Sequence, residues 1–386
     1  MQNVAMNGDQ AIALAWKQID PDVVAAYPIT PQTIIVEAFS EFVADGLVNT
    51  EYVCAESEHS AMSLCIGASA AGARVATATA SAGLAFMWET LYIASSMRLP
   101  IVMAVANRAL SGPINIHCDH SDAMGARDSG WIQLFGENVQ EAYDDSLMAF
   151  RIAEHMDIRL PIMTCLDGFI VTHSLERLET LPDDVVKKFV GEFKWKRSLL
   201  DIKNPTTMGP FDWTDYYFEH KYQQAEAMKR VPAVVKSVSE EFARLSGRKY
   251  DLIEPYKLDD ADYALVAMGS TAGTLKEVVD GLRAEGKKVG SLKLRLFRPF
   301  PAEELAKTLE GLKGVAVLDR ALSMGAAGPI FPELRSALFE TSKRPRITNY
   351  IYGLGGRDIK PEELRTVYDQ LMHNQGETVN YLGVRA

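Results

Sequence analysis

Short apolar runs alternate with stretches of helical spacing along the first half of the chain. Val23–Ala26, Glu51–Ala55, Arg74–Ala80, Leu99–Ala106 and Pro161–Cys165 read as strands, and Val139–Ala142 is expected as another. Between them Gln32–Val43, Glu56–Ala73, Ser81 to about Met97 and Ser146–Met156 carry helical patterns. This alternation predicts an α/β domain around a mostly parallel sheet. In such sheets ligands bind beyond the carboxyl ends of the strands. Thr30, Glu58, Ser81 and Arg108 each follow a strand end, so they are expected on one edge although scattered in sequence.

Glu56–Ala73 organises this pattern. Its first turn is acidic, with Glu56 and Glu58, which suits the positive end of a helix dipole. The remainder is mostly Ala, Ser and Gly, a composition that lets another backbone come close. A carboxylate at the head of such a helix is placed to face something that needs negative charge.

From about Leu175 to Asp260 the pattern weakens. Met208–Tyr222 is aromatic and turn-rich, and Gln223–Ser246 reads as an amphipathic helix. Trp213, Tyr216, Tyr217 and Phe218 suit burial against a neighbour. A second α/β unit follows, with strands at Tyr263–Met268, Val289–Leu296, Gly314–Leu318 and a last one near Ile347–Ile351. Helices are expected at Thr274–Glu285 and Ala302–Leu312. The expected division is 1–175, a connector at 176–260 that packs on partner chains, and 261–386.

Composition narrows the function. The 386 residues carry a net charge of −11, which argues against nucleic acid or an anionic membrane as partner. No apolar run approaches the roughly 18 residues of a spanning helix. Cys54, Cys65, Cys118 and Cys165 are far apart, with no Cys-x-x-Cys, so this chain has no ordinary zinc or iron–sulfur framework. Buried thiols in a reducing cytoplasm fit that spacing. No Gly-x-Gly-x-x-Gly follows the first strand, and the Walker and Gly-x-Ser-x-Gly signatures are missing. Gly353-Leu-Gly-Gly356 comes late and lacks nucleotide spacing.

The motifs that remain point to one family. Tyr27-Pro-Ile-Thr-Pro31, Glu56-Ser-Glu58, Thr79-Ala-Ser-Ala-Gly83, Asn107-Arg-Ala-Leu110, Asp119-His-Ser-Asp122 and Asp128-Ser-Gly-Trp131 resemble the α subunit of pyruvate:ferredoxin oxidoreductase. This is a branch of the 2-oxoacid:ferredoxin oxidoreductase superfamily, whose members use thiamine diphosphate. The resemblance covers nearly the whole chain. It implies a parallel-sheet domain for the cofactor's pyrimidine, followed by a transketolase C-terminal-like α/β domain. It also implies that a β chain supplies the diphosphate and Mg²⁺ site, that 4Fe–4S clusters sit on β and a ferredoxin-like δ chain, and that a γ chain completes the complex. The Gly-Asp-Gly…Asn motif for the metal is absent here, as expected of an α chain, so no metal is assigned to it. The implied reaction converts pyruvate, coenzyme A and oxidised ferredoxin to acetyl-CoA, CO₂ and reduced ferredoxin, reversibly. Rivals are the same chemistry on 2-oxoglutarate, 2-oxoisovalerate or oxalate, a non-catalytic assembly subunit, and a nucleotide-binding dehydrogenase.

Carried over residue by residue, the resemblance makes Glu58 the acid that contacts the pyrimidine and favours its imino tautomer. The bland alternative is a first-turn acid serving the helix dipole. Glu56 is read as structural. Arg108 would clamp the 2-oxoacid carboxylate in two-pronged fashion, the alternative being an ion pair with a nearby aspartate. Thr30 would donate a hydrogen bond to the substrate, or serve as a helix cap with Pro31 at the first helical position. Ser81 and Gly83 would let the backbone approach the cofactor, or merely form a turn before a helix. His117, Asp119, His120 and Asp122 are expected to be solvated and to line the substrate entrance rather than bind metal, and a His there could transfer protons. Asp167-Gly-Phe169 is read as a strand-end turn.

Overall fold

The computed structural model describes residues 1–195 and 198–385. The first unit runs β1 (Gln2–Met6), α1 (Gly8–Ile19), β2 (Val23–Ala26), α2 (Thr33–Ala44), β3 (Glu51–Cys54), α3 (Glu58–Ala70), β4 (Val75–Thr79), α4 (Ser81–Phe86), α5 (Trp88–Ser96), β5 (Val102–Asn107), α6 (Ser121–Gly125), β6 (Ile132–Phe135), α7 (Val139–Ala153), β7 (Ile162–Asp167), β8 (Glu176–Thr180), α8 (Asp183–Val190) and α9 (Tyr217–Ser246). The second runs β9 (Ile253–Tyr256), β10 (Tyr263–Ala267), α10 (Thr271–Ala284), β11 (Val289–Leu294), β12 (Leu296–Arg298), α11 (Ala302–Leu309), β13 (Gly314–Asp319), α12 (Ile330–Phe339), β14 (Arg346–Ile351), α13 (Pro361–Met372) and β15 (Val379–Tyr381).

Every residue of β4, β5 and β7 is buried, so helices cover both faces of their sheet. That is why these strands read as unbroken apolar runs. The sheet order is β12-β6-β7-β5-β4-β2-β3, parallel except for β12. Asn107 at the end of β5 pairs with Asp167 at the end of β7, so the carboxyl ends lie level along one edge. The second sheet is β15-β14-β13-β10-β11-β9, antiparallel only at β9. One apolar cluster runs through both units, from Met62, Leu84 and Met103 to Val266, Leu292 and Val317.

Several expectations are corrected. Val139–Ala142 is helix, not strand. Asn138 caps it by accepting the Glu141 N–H at 3.0 Å, and Val139, Ala142, Tyr143 and Leu147 share one buried face. The strand in that region is Ile132–Phe135. Thr30 is not a helix cap: Gln32 precedes α2, and its side chain donates to the carbonyls of Tyr27 (2.8 Å) and Ala78 (3.4 Å), so the helix starts beyond it. The segment after Ser81 breaks at Met87 into α4 and α5. The run Val289–Leu296 ends early, and Leu296 crosses to pair with Leu134 in the first sheet. Beyond Ile351 a further strand, β15, extends the second sheet.

The 176–260 segment is divided. β8 pairs with β1, while α8 and α9 bury Phe189, Val231, Val235 and Phe242 in the first unit's core. Phe211, Trp213 and Phe218 stay outside, 83%, 72% and 76% exposed. Buried charges join the two units. Lys293 Nζ meets Glu141 (2.6 Å), Glu254 (2.6 Å) and Glu137 (2.9 Å), and Arg295 pairs with Asp145. Burial alone would lower the Lys293 ammonium, but Glu141, Glu137 and Glu254 outweigh it and hold it above its usual value. Among the described residues no helix is long and apolar enough to cross a membrane.

Candidate active site

The site is built outward from the head of α3. Ser57 caps this helix by accepting the Ser60 N–H at 3.2 Å, which leaves Glu58 as its first residue. Glu58 is only 7% exposed, and nothing among the described residues hydrogen-bonds to its carboxylate. Glu56 is exposed and accepts the Ser60 hydroxyl at 2.6 Å, so it serves the helix start. Beside Glu58 lies Gly83 in α4. A Cβ there would sit 2.8 Å from Glu58 Oε1 and 2.5 Å from Thr79 Oγ1. That Thr79 hydroxyl is buried and has no partner among the described residues. Glycine at 83 therefore keeps open the space between an unpaired carboxylate and an unpaired hydroxyl. Elsewhere on α3, Leu199 N donates to the Ala70 carbonyl at 3.0 Å, while a Cβ on Gly67 would meet nothing among the described residues.

Ser81 has φ +46°, a left-handed conformation costing a non-glycine residue about 1–3 kcal/mol. Two bonds hold it there. Its N–H donates to Asp122 Oδ2 at 3.0 Å and its hydroxyl to the Ala109 carbonyl at 2.5 Å. Its hydroxyl is thus committed to the segment that carries Arg108. Asp122 also accepts from Arg108 N (2.9 Å), Asn107 Nδ2 (2.8 Å) and Ala123 N (2.7 Å), and so ties the ends of β4 and β5 together. Burial pushes its carboxyl up to about 6, against the pull of those N–H groups.

The Arg108 side chain is buried, at 7% exposure. Its Nη1 donates to the Thr30 carbonyl at 2.9 Å and its Nε to the Asn115 carbonyl at 3.0 Å. The expected alternative, an ion pair with a nearby aspartate, is absent among the described residues; Asp122 takes the backbone N–H instead. A guanidinium has five N–H groups, so three remain without an acceptor among the described residues. The structure thus brings Thr30 to Arg108, Arg108 to Ser81 through Asp122, and Ser81 and Gly83 to Glu58 along one strand-end edge. Thr30 is exposed and meets Arg108 through its carbonyl, and its hydroxyl has no partner among the described residues.

The Asp-His loop corrects the expectation of solvated side chains. Asp119, His120 and Asp122 are buried: the second unit meets Asp119 through Gly355 and His120 through Arg320, whereas Asp122 is enclosed by Ser81, Asn107 and Arg108 of the first; only His117 stays exposed, against the Phe169 ring. His120 Nε2 lies 2.7 Å from Asp167 Oδ1, while Arg320 (3.0 Å) and the Ser270 hydroxyl (2.5 Å) donate to Oδ2. Burial would raise the Asp167 carboxyl, but His120 and Arg320 outweigh it and hold it below the ordinary aspartate range. Asp167 is thus a buried junction between the units, more than the strand-end turn expected. Cys118, His120 and Asp167 lie close enough to share a cation, but the Arg320 guanidinium already balances that carboxylate.

Sequence reasoning passed over Thr79 and Asn115 and misjudged Asp122. Thr79 and Asp122 stand inside quoted motifs, so the signal was present. Asn115 had none.

Residues 14–240 match the family described as pyruvate flavodoxin/ferredoxin oxidoreductase, thiamine diphosphate-binding. Residues 261–364 match pyruvate:ferredoxin oxidoreductase core domain II. The chain is 58% identical over 387 positions to pyruvate synthase subunit PorA of Thermotoga maritima, covering 100% of this chain and 99% of that one. It is 45% identical over 367 positions to ketoisovalerate oxidoreductase subunit VorA of Pyrococcus horikoshii, covering 95% and 93%. Its fold is similar to that of a 2-oxoglutarate:ferredoxin oxidoreductase from Magnetococcus marinus, solved with 2-oxoglutarate, coenzyme A and succinyl-CoA bound. The TM-score is 0.74 at 22% identity, covering 96% of this chain and 65% of that one.

Proposed function

Because the chain belongs to the thiamine diphosphate-binding pyruvate flavodoxin/ferredoxin oxidoreductase family, we propose that the edge carrying Glu58 and Arg108 is its half of a thiamine diphosphate site. The chain is an α-type subunit of the pyruvate synthase class of 2-oxoacid:ferredoxin oxidoreductases. The overall reaction converts pyruvate, coenzyme A and oxidised ferredoxin to acetyl-CoA, CO₂ and reduced ferredoxin, and is reversible.

One observation carries the reading. A buried carboxylate and a buried guanidinium stand on one sheet edge, neither matched by an opposite charge among the described residues. Burying a charge without a partner is costly, so each is suited to a partner from outside the chain. The unpaired Glu58 carboxylate, the orphaned Thr79 hydroxyl and the cradle at Gly83 fit the polar edge of an aminopyrimidine.

Thiamine diphosphate, when bound, supplies a carbon nucleophile and an electron sink for decarboxylation. Glu58 would share a proton between its carboxyl oxygen and a ring nitrogen of the bound cofactor. Arg108 binds the 2-oxoacid carboxylate through its remaining N–H groups, and Thr30 adds its hydroxyl beside it. Ser81 fixes the Ala109 carbonyl and so steadies the backbone on which Arg108 rides. Gly83 leaves room for the ring. The diphosphate with Mg²⁺ belongs to a β chain, 4Fe–4S clusters to β and δ chains, and a γ chain completes the complex. Four unpaired thiols, three of them buried, support that division and a reducing cytoplasm.

The test is the complex purified with its partner chains and assayed with coenzyme A and a viologen dye on pyruvate, 2-oxoglutarate and 2-oxoisovalerate. Pyruvate should be preferred, and Glu58→Gln should lower turnover about a hundredfold or more. Full turnover in Glu58→Gln would make the chain a scaffold. A preference for 2-oxoisovalerate would move the substrate.

A further inference from the structure

Two backbone carbonyls fix the Arg108 guanidinium, those of Thr30 and Asn115. Thr30 lies in the turn after β2, close to the sheet. Asn115 lies in a loop whose preceding residues, Ser111–Ile114, are all exposed. Its own side chain is what holds it. Oδ1 accepts the His117 N–H at 2.7 Å, and Nδ2 donates to the Gly355 carbonyl at 3.0 Å, 240 residues away in the second unit. The surrounding contacts repeat the pattern. Gly355 N donates to Asp119 Oδ2 (3.2 Å), Gly356 N to the Cys118 carbonyl (2.6 Å), and His120 N to the Arg320 carbonyl (2.8 Å).

The Gly353-Leu-Gly-Gly356 run has the composition this requires. Gly353, Gly355 and Gly356 have φ of +64°, +60° and +80°, where side-chain-bearing residues are disfavoured. A Cβ on Gly355 would lie 2.5 Å from Asn115 Nδ2, and one on Gly356 would strike the His117 Cβ. The run therefore allows close approach to the loop that carries Asn115. The motif that failed as a nucleotide signature is used here on the protein's own backbone.

We propose that the Gly353–Gly356 turn and Asn115 together position Arg108 for the substrate carboxylate. Asn115 is a positioning residue that acts through Arg108, so the second unit contributes to substrate binding without touching substrate. The inference rests on the reading of Arg108 given above, and its test keeps the two separable.

In the complete complex, Asn115→Asp keeps an acceptor for His117 N and removes the donor to Gly355; Gly355→Ala attacks the same contact from the other side. Asn115→Asp should raise the KM for pyruvate about tenfold while thiamine diphosphate affinity stays within about twofold. Arg108→Lys should raise KM at least as far, and adding Asn115→Asp to it should add nothing, because the aimed guanidinium is already gone. A merely structural role would lower melting temperature and cofactor affinity together and would add to Arg108→Lys; that result overturns the proposal. If Gly355→Ala fails to fold, Asn115→Asp decides the matter. An unchanged KM in Asn115→Asp beside a raised one in Arg108→Lys sinks the positioning inference alone. An unchanged KM in Arg108→Lys sinks both.

Discussion

Gly83→Ala separates a cofactor cradle from an ordinary turn, because the two readings predict opposite signs. Gly83 lies in the first turn of α4 without a positive φ, so alanine meets no backbone strain there. If the position were only helical, the substitution would stabilise by up to about 1 kcal/mol through helix propensity. The new Cβ would instead lie 2.5 Å from Thr79 Oγ1, 2.8 Å from Glu58 Oε1 and 2.9 Å from Glu58 Cγ. Thr79 is fully buried and, being β-branched, stiff at χ1. Glu58 is the longer and less constrained of the two, so its carboxylate is displaced. Overpacking of this kind costs about 1–3 kcal/mol, which leaves the variant neutral to about 2 kcal/mol less stable. On the proposed reading of Glu58, losing a charge-assisted hydrogen bond to the cofactor would remove a further ~1.5–3 kcal/mol of binding, roughly ten- to a hundredfold in Kd. Thermal melting of the purified complex and a thiamine diphosphate titration read the two quantities separately. A Gly83→Ala complex that melts higher and binds cofactor within about twofold of wild type would refute the cradle.

Two further outcomes follow from buried charges. Lys293→Met leaves the buried Glu141 without its ammonium and Glu137 and Glu254 with only the partly exposed Lys276, at 3.1 and 2.8 Å. Removing one partner of a buried ionic cluster costs about 3–5 kcal/mol, so the denaturation midpoint should fall sharply; a change under about 1 kcal/mol would mean the cluster is solvated. The pH dependence of Asp122 runs in the other direction from an ordinary salt-bridged acid. Its folded value, about 6, lies above its unfolded one, so the stability contributed by protonation is complete below about pH 4 and is lost as pH rises through 6. The loss is on the order of 3 kcal/mol. Wild type should therefore lose stability relative to Asp122→Asn across that window and track it above pH 7; a constant difference from pH 4 to 7 would show that Asp122 does not titrate there.

What was legible in the sequence is what local patterning encodes. The apolar runs that became β2, β4, β5 and β7 are continuous because both faces of each strand are covered. Their ends carry Thr30, Ser81 and Arg108 to one edge, as the alternation of strand and helix required. Errors arose where two periods fit the same letters. Val139-Gln-Glu-Ala142 is too short to separate a strand from a helical turn, and the deciding residue was Asn138 as cap. The Thr30-Pro31 pair looks like a helix start, but Gln32, held by the Tyr27 and Ala78 carbonyls, moved that start two residues on.

The remaining misreadings share a different cause. Burial of Asp119 and His120, the junction at Asp167 and the anchoring of Asn115 all depend on Arg320, Ser270 or Gly353–Gly356, residues at least 100 positions away and in the other unit. No local pattern encodes such a partner. The same interface explains why the boundary between units is not a hinge. β12 leaves the second unit to complete the first sheet, one apolar cluster crosses between them, and Lys293 and Arg295 find their carboxylates on α7 or just before it. A relative shift of the units would uncover paired buried charges and break the Asn115–Gly355 contact in the same motion. On the proposed role of Arg108, substrate positioning and the cohesion of the chain therefore depend on one set of contacts. That dependence follows from fixing the Arg108 guanidinium partly through Asn115, which the second unit anchors, while the first unit holds the same segment through Asp122, Thr30 and the Ser81–Ala109 bond.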